Sequence, residues 1–111
     1  MTLSELKTAL EGVNSGAFQG KVAYRAFPVG AAPALPFICF YETDTDNFVA
    51  DSMVYHRIQN VDIEFYSDQK DVESERAIES MFASNLIIWE KTAENYIQSE
   101  NMQMVVYEIK I

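Results

Sequence analysis

The sequence predicts an α+β fold in which a mostly antiparallel sheet carries two helices packed on one face. Two segments have apolar residues at helical spacing, and five others have the alternating or continuous apolar runs typical of strands. Along the chain these elements follow the order α-β-β-β-α-β-β, which favours a two-layer architecture. The 111 residues are the size of one domain, and residues 1–111 show neither a linker nor an internal repeat.

The N-terminal helix is predicted by a capping box, in which Thr2 is the N-cap and Glu5 reaches back to it. Leu6 and Leu10 follow at helical spacing and form an apolar stripe. Gly12 offers a stop, because glycine readily ends a helix.

Two strands with a proline-containing connection come next. Residues 21–27 alternate in polarity, and residues 37–43 form an apolar run. Residues 28–36 contain three prolines, each of which removes a hydrogen-bond donor, so we expect this segment to leave the sheet and protrude as a surface loop. The polar segment 44–47 predicts a tight turn.

The second half of the chain begins with the longest strand signal, residues 53–66. Its apolar preference changes sides near Gln59 and Asn60, which predicts a bulge or a bend. A helix is predicted to begin at Ser67 and Asp68. Its expected buried residues are Val72, Ala77, Ile78, Met81 and Phe82. A strand over 86–91, a connection over 92–101 and a last strand over 104–111 complete the prediction.

Composition and charge narrow the functional classes. Eight basic and seventeen acidic residues give a net charge of −9, which repels nucleic acid, since nucleic-acid binding depends on Lys and Arg. Cys39 is the only cysteine, so an intrachain disulfide is impossible, and its apolar neighbours predict that it is buried. Glu5 interrupts the N terminus before any long apolar segment, so we expect a protein of the cytoplasm where it is made.

Candidate catalytic and metal-binding groups each fail on spacing or context. Counted from Asp44, the EF-hand positions that require Gly and Glu hold Val49 and Tyr55. His56 is the only histidine, which excludes a multi-histidine metal site. Asp62 and Glu64 point to the same side of a strand, where an outward polar face is the simpler interpretation than a hydrolytic pair. We therefore predict no enzyme activity and no catalytic, cofactor-binding or metal-binding residue.

An apolar set remains whose burial the alternation does not explain. Met102 and Met104 share the strand face opposite Val105 and Tyr107, and in a sheet with helices on one side one of these faces is exposed. Either loops or the N-terminal helix cover it, or it is a subunit interface, where aromatic residues and Met are enriched. The predicted interface residues are Val29, Leu35, Trp89, Met102 and Met104.

Short segments along the chain carry a resemblance to a known family. In order they are residues 33–37 (PALPF), 47–51 (NFVAD), 54–55 (VY), 61–66 (VDIEFY), Lys70-Asp71 with Glu75, 89–91 (WEK), 96–100 (YIQSE) and 106–109 (VYEI). Their order and spacing resemble the tail-completion or tail-terminator proteins of long-tailed phages of Gram-positive bacteria, over roughly residues 21–111. Gln98 departs from the acidic residue of the family pattern, and residues 102–104 are less aromatic than usual.

The resemblance implies a structural role in the virion tail. Such proteins form a ring, commonly hexameric, on the completed tail tube, stop its polymerisation and present a surface to the head connector. The implied partners are further copies of this chain, the tail-tube protein and the head-connector protein, and the implied cofactors are none. Two other interpretations stay open, namely another head–tail connector protein such as a stopper, and a small cytosolic ligand-binding module.

Overall fold

The computed structural model describes the backbone of residues 1–50 and 53–111, and the side chains of residues 1–47 and 57–111. The first helix, α1, spans Leu3–Glu11 and confirms the predicted capping box. The Glu5 amide donates to Thr2 Oγ1 at 3.1 Å, and the Thr2 amide donates to the Glu5 carboxylate at 2.8 Å. Leu6 and Leu10 are fully buried, and the short α2 (Val13–Gly16) follows directly.

The described strands form one five-stranded sheet in the order β1-β2-β3-β5-β4. The strands are β1 (Val22–Tyr24), β2 (Phe37–Ala50), β3 (Met53–Ser67), β4 (Ile88–Ile97) and β5 (Met102–Lys110). The third helix, α3, spans Val72–Ser84 between β3 and β4. Every pairing is antiparallel except that of β1 with β2, so the α+β prediction is confirmed and the sheet is mixed.

The core lies between the sheet and the helices. Leu10 from α1 and Ile78 and Phe82 from α3 pack in one apolar cluster with alternate residues of the central strands. The sheet residues in this cluster are Val22, Ile38, Phe40, Val61, Ile63, Phe65, Val105, Tyr107 and Ile109. Phe18, from the loop after α2, meets Phe65 edge to face at 5.8 Å. Both long helices therefore cover the same face of the sheet, as the sequence predicts.

The predicted turn at residues 44–47 is wrong, because β2 continues through it to Ala50. Its polar residues are accommodated by cross-strand partners: Asn60 Nδ2 donates to Asp44 at 2.7 Å and to Asp46 at 2.9 Å, and Lys110 Nζ donates to Asp46 at 2.7 Å. The predicted bulge near Asn60 exists, but the extra residue is Thr43, on the neighbouring strand β2.

The helix start and the fourth strand also differ from prediction. The N-cap of α3 is Asp71, whose carboxylate accepts from the Ser74 amide at 3.0 Å, while Ser67 ends β3. The sequence predicts a connection over residues 92–101, but residues 92–97 extend β4. A bulge at Thr92 breaks the period-two alternation there, which removes the strand signal from the sequence. Among the described residues, the helices are all too short or too polar to cross a membrane.

Candidate functional site

In the described part of the chain, helices pack on one face of the sheet and leave the other without a helical layer. Val61, Ile63 and Phe65 are buried beneath the helices, whereas Asp62 and Glu64 point the other way and are half-buried. We call this second side the open face. The cross-strand register assigns to it Phe37, Cys39, Tyr41, Asp62, Glu64, Tyr66, Ile88, Glu90, Ala93, Asn95, Ile97, Met102, Met104, Val106 and Glu108.

The connection between β1 and β2 crosses part of the open face. The two strands are parallel, so the chain must return along the sheet to begin β2. On the way, the Phe27 ring meets Phe37 edge to face at 5.4 Å, and the Arg25 guanidinium lies 5.4 Å from the centre of the Tyr41 ring. Because Phe37 and Tyr41 flank Cys39 on this face, the connection covers the β2 side and Cys39 is buried, as predicted.

The sequence predicts that the connection protrudes as a surface loop, but only part of it does so. Val29 is fully exposed, with a relative accessibility of 106%. Leu35, in contrast, is half-buried, as is Phe27. Of the two predicted interface residues in this segment, only Val29 is fully available to a partner.

The other three predicted interface residues divide between the two faces of the sheet. Met102 and Met104 lie half-buried on the open face. Trp89 lies on the helix side, where its ring packs against Phe82 at 6.1 Å and Tyr107 at 5.7 Å. The structure thus does not bring Trp89 together with the methionines, because each strand face admits only alternate residues.

An apolar strip runs along the half of the open face that the connection leaves uncovered. Its members are half-buried residues of three adjacent strands, namely Tyr66, Ile97, Met102, Met104 and Val106. Tyr66 stands opposite Met104, and Met102 stands opposite Ile97, so the strip is continuous across β3, β5 and β4. The sequence predicts the methionines but not Ile97, because its pattern places residues 92–101 in a connection.

A row of carboxylates borders this apolar strip. Asp62 is directly opposite Glu108, and Glu108 is directly opposite Glu90, so three acidic residues lie side by side on neighbouring strands. Like charges in directly opposite positions destabilise a sheet. The sequence could not reveal this row, because the register between distant strands is not readable from one strand alone.

Burial shifts the titration of several groups near the connection. Desolvation raises the pKa of Glu64, and the charge of Asp62 raises it further. Desolvation raises the pKa of Asp62 too, although a hydrogen bond from the Tyr41 hydroxyl, at 3.5 Å, opposes the shift. Desolvation together with Glu64 raises the pKa of Cys39 to about 11. These carboxyls bind protons more tightly than exposed ones do, and Cys39 is a poor nucleophile.

On the opposite side of the sheet, a buried carboxylate holds α3 against β4. Glu75 is 3% exposed, and its carboxylate pairs with Lys70 at 2.9 Å and with Lys91 of β4. Sequence reasoning missed this group, although Glu75 falls at helical spacing with the buried Ile78 and Phe82, which could have indicated it. The two lysines compensate the buried charge, although Glu75 Oε2 accepts no hydrogen bond from a described residue, and we interpret the arrangement as structural.

The side chain of His56, the only histidine of the sequence, lies outside the described residues. No protein-family model and no curated protein matches this chain. Function is inferred from two surfaces, the open face and the outer edge of β4.

Proposed function

We propose that this protein is a tail-completion protein of a long-tailed phage, which caps the tail tube as a ring and joins it to the head connector. It assembles in the host cytoplasm, stays in the mature tail, and acts by binding other proteins and not by catalysis. The observation that carries the proposal is the apolar strip on the open face, half-buried and without a helical layer over it.

The apolar strip suits a protein partner better than a small molecule. All its residues except Ile97 lie on strands that have a neighbour on both sides, as Met104 lies between Tyr66 and Asn95. None of the strip residues lines either of the two clefts that border β4, whereas small-molecule sites are concave. Methionine and aromatic side chains are also enriched where proteins meet.

A ring requires two unlike surfaces on each subunit, because each copy contacts the next one head to tail. The apolar strip provides one surface, and the exposed tip of the connection at Val29 provides a second of different shape. The resemblance set out above agrees with this arrangement. The acidic residues also agree with it, because carboxylates would repel the phosphates of DNA passing through the ring.

The test of this proposal is a single charge placed in the apolar strip. Met104→Asp should leave the fold intact, since Met104 is only half-buried, and should abolish ring formation and tail completion, since a charge is costly in a desolvated contact. Electron microscopy of particles made with this variant should show unjoined heads and tails of uncontrolled length.

Leu86→Asp is the matched control, because it adds the same charge at a residue that is 92% exposed. Its backbone φ of 56° lies in the left-handed region, which Asp tolerates. Normal particles from Met104→Asp would contradict the proposed contact. A much lower unfolding midpoint for Met104→Asp than for Leu86→Asp would show that Met104 is a core residue.

A further inference from the structure

The outer edge of β4 is a long open edge of the described sheet, and residues 41–50 of β2, beyond its pairs with β1, form another. β4 is the last strand in the strand order and has ten residues, whereas β1 at the other edge has three. Three large apolar residues of β4 are exposed: Ile88 at 71%, Tyr96 at 56% and Trp89 at 37%. Proteins normally shorten or charge such edges, because open main-chain groups pair with other strands.

The sequence of β4 is complementary to itself when two copies run antiparallel. At one register the opposed pairs are Ile88 with Ile97, Trp89 with Tyr96, Glu90 with Asn95, Lys91 with Glu94, and Thr92 with Ala93. These comprise an aliphatic pair, an aromatic pair and an opposite-charge pair, each of which stabilises an antiparallel ladder. Each pair occurs twice, because the arrangement is symmetric about a point between Thr92 and Ala93.

The bulge at Thr92 is what makes this register possible. In a regular strand, residues 88 and 97 would point to opposite faces, since they are nine positions apart. The register with β5 skips Thr92, so Ile88 and Ile97 both lie on the open face. Trp89 and Tyr96 likewise both lie on the helix side, opposite Ile109 and Gln103 of β5. In four of the five opposed pairs, all but the central pair of Thr92 with Ala93, both side chains therefore project to the same side of the joined sheet.

We propose that β4 pairs with β4 of a second copy about a two-fold axis between Thr92 and Ala93, which joins the two sheets into one of ten strands. Ten opposed residues form about ten main-chain hydrogen bonds, as many as a typical protein interface has. Tyr96 of the second copy covers the exposed edge of Trp89. The central Lys91 and Glu94, which pair with Glu75 and Lys70 within each copy, add a cross-strand pair of opposite charge. This contact is independent of the apolar strip and of the proposed ring.

Disulfide trapping tests the register directly. One chain carries Glu90→Cys, another carries Asn95→Cys, and both carry Cys39→Ala. Opposed residues in an antiparallel pair have Cα atoms about 5 Å apart, within the range of a disulfide. Glu90 of one copy lies about 17 Å from Glu90 of the other, given about 3.3 Å per residue over five residues. Mixed chains should therefore cross-link, and Glu90→Cys alone should not.

Sedimentation and the fluorescence of Trp89, the only tryptophan, give a second test. At about 0.5 M salt, which screens the net charge, dilution should dissociate a dimer and shift the emission of Trp89 to the red. Tyr96→Asp should raise the dimer Kd at least about tenfold. Ser4→Asp, which adds the same charge at an exposed residue of α1, on the β1 side of the sheet, should leave it unchanged.

Three results would overturn the proposal. The first is a monomer at every concentration and salt level. The second is an assembly in which the Glu90→Cys and Asn95→Cys chains fail to cross-link. The third is an equal Kd for Tyr96→Asp and the wild-type protein. A ring that forms without the cross-link would leave the proposed function in place and refute the β4 contact alone.

Discussion

Cys39 reports on whether the connection between β1 and β2 stays closed over the open face. The thiol is 5% exposed and lies on the side of the sheet that residues 25–36 cross. The connection is held there by the contact of Phe27 with Phe37 and of Arg25 with Tyr41. A thiol reagent added to the native protein should therefore react with Cys39 far more slowly than with the unfolded chain.

Two effects set the size of this protection. Burial raises the pKa of Cys39 from 9.0 to about 11, so at pH 8 the reactive thiolate is about 100-fold rarer than in an unfolded chain. Steric cover by the connection slows the reaction further. The native rate at pH 8 should thus be at least about 100-fold lower than the rate in denaturant, and should rise about tenfold per pH unit up to pH 9.

Phe27→Ala is the informative variant, because it removes the side chain that packs on Phe37 and so loosens the connection. It should accelerate labelling of Cys39 in the native protein, whereas Val29→Ala, at the fully exposed tip of the same connection, should not. Absorbance after addition of an aromatic disulfide reagent follows the rate. Equal rates for native and unfolded wild-type protein would refute the burial of Cys39.

The same pKa shift has a consequence for stability. The folded pKa of Cys39 lies above the unfolded value, so its contribution to folding is fully present below pH 9. It is lost as the pH rises from about 9 through about 11. Cys39→Ala removes this dependence, and a urea titration at pH 7 and pH 10 measures the difference.

Two further predictions concern buried carboxylates. Glu75→Gln should lower the free energy of unfolding by about 1–3 kcal/mol, because it removes the charge that pairs with Lys70 and Lys91. Glu73→Gln, at an exposed residue of the same helix, should lower it less. Urea denaturation measures both values. Glu64→Gln should raise the unfolding midpoint at pH 7 and leave it unchanged near pH 3. The pKa of Glu64 is raised in the folded protein, so its charge destabilises the fold only at a pH where the carboxyl is ionised. An unchanged midpoint at pH 7 would contradict the partial burial of that charge.

Local signals predicted the parts of this fold that local chemistry determines. The capping box of Thr2 and Glu5 needs no distant partner, and the alternation of residues 61–66 reflects one buried face directly. The prediction failed where a distant residue decides the structure. Asp44 and Asp46 are typical turn residues, yet their carboxylates accept hydrogen bonds from Asn60 and Lys110 across the sheet.

The residues of the open face were likewise predictable only where the pattern of a single strand determines them. The methionines at 102 and 104 follow from the alternation of one strand. Ile97 and the carboxylate row of Asp62, Glu108 and Glu90 depend on how three strands are aligned, and the bulge at Thr92 hides that alignment from any periodic pattern.

The order of the strands has a consequence for biosynthesis. β5 lies between β3 and β4, although it is the last of the five to be translated. β4 is made before β5, its one neighbour in the sheet, so the exposed Ile88 and Tyr96 belong to a strand that cannot join the sheet until residues 102–110 are available. The nascent chain can form the β2–β3 hairpin early, but the sheet closes only when β5 inserts. Closure of this sheet therefore depends on β5, which must insert between two strands that precede it in the chain.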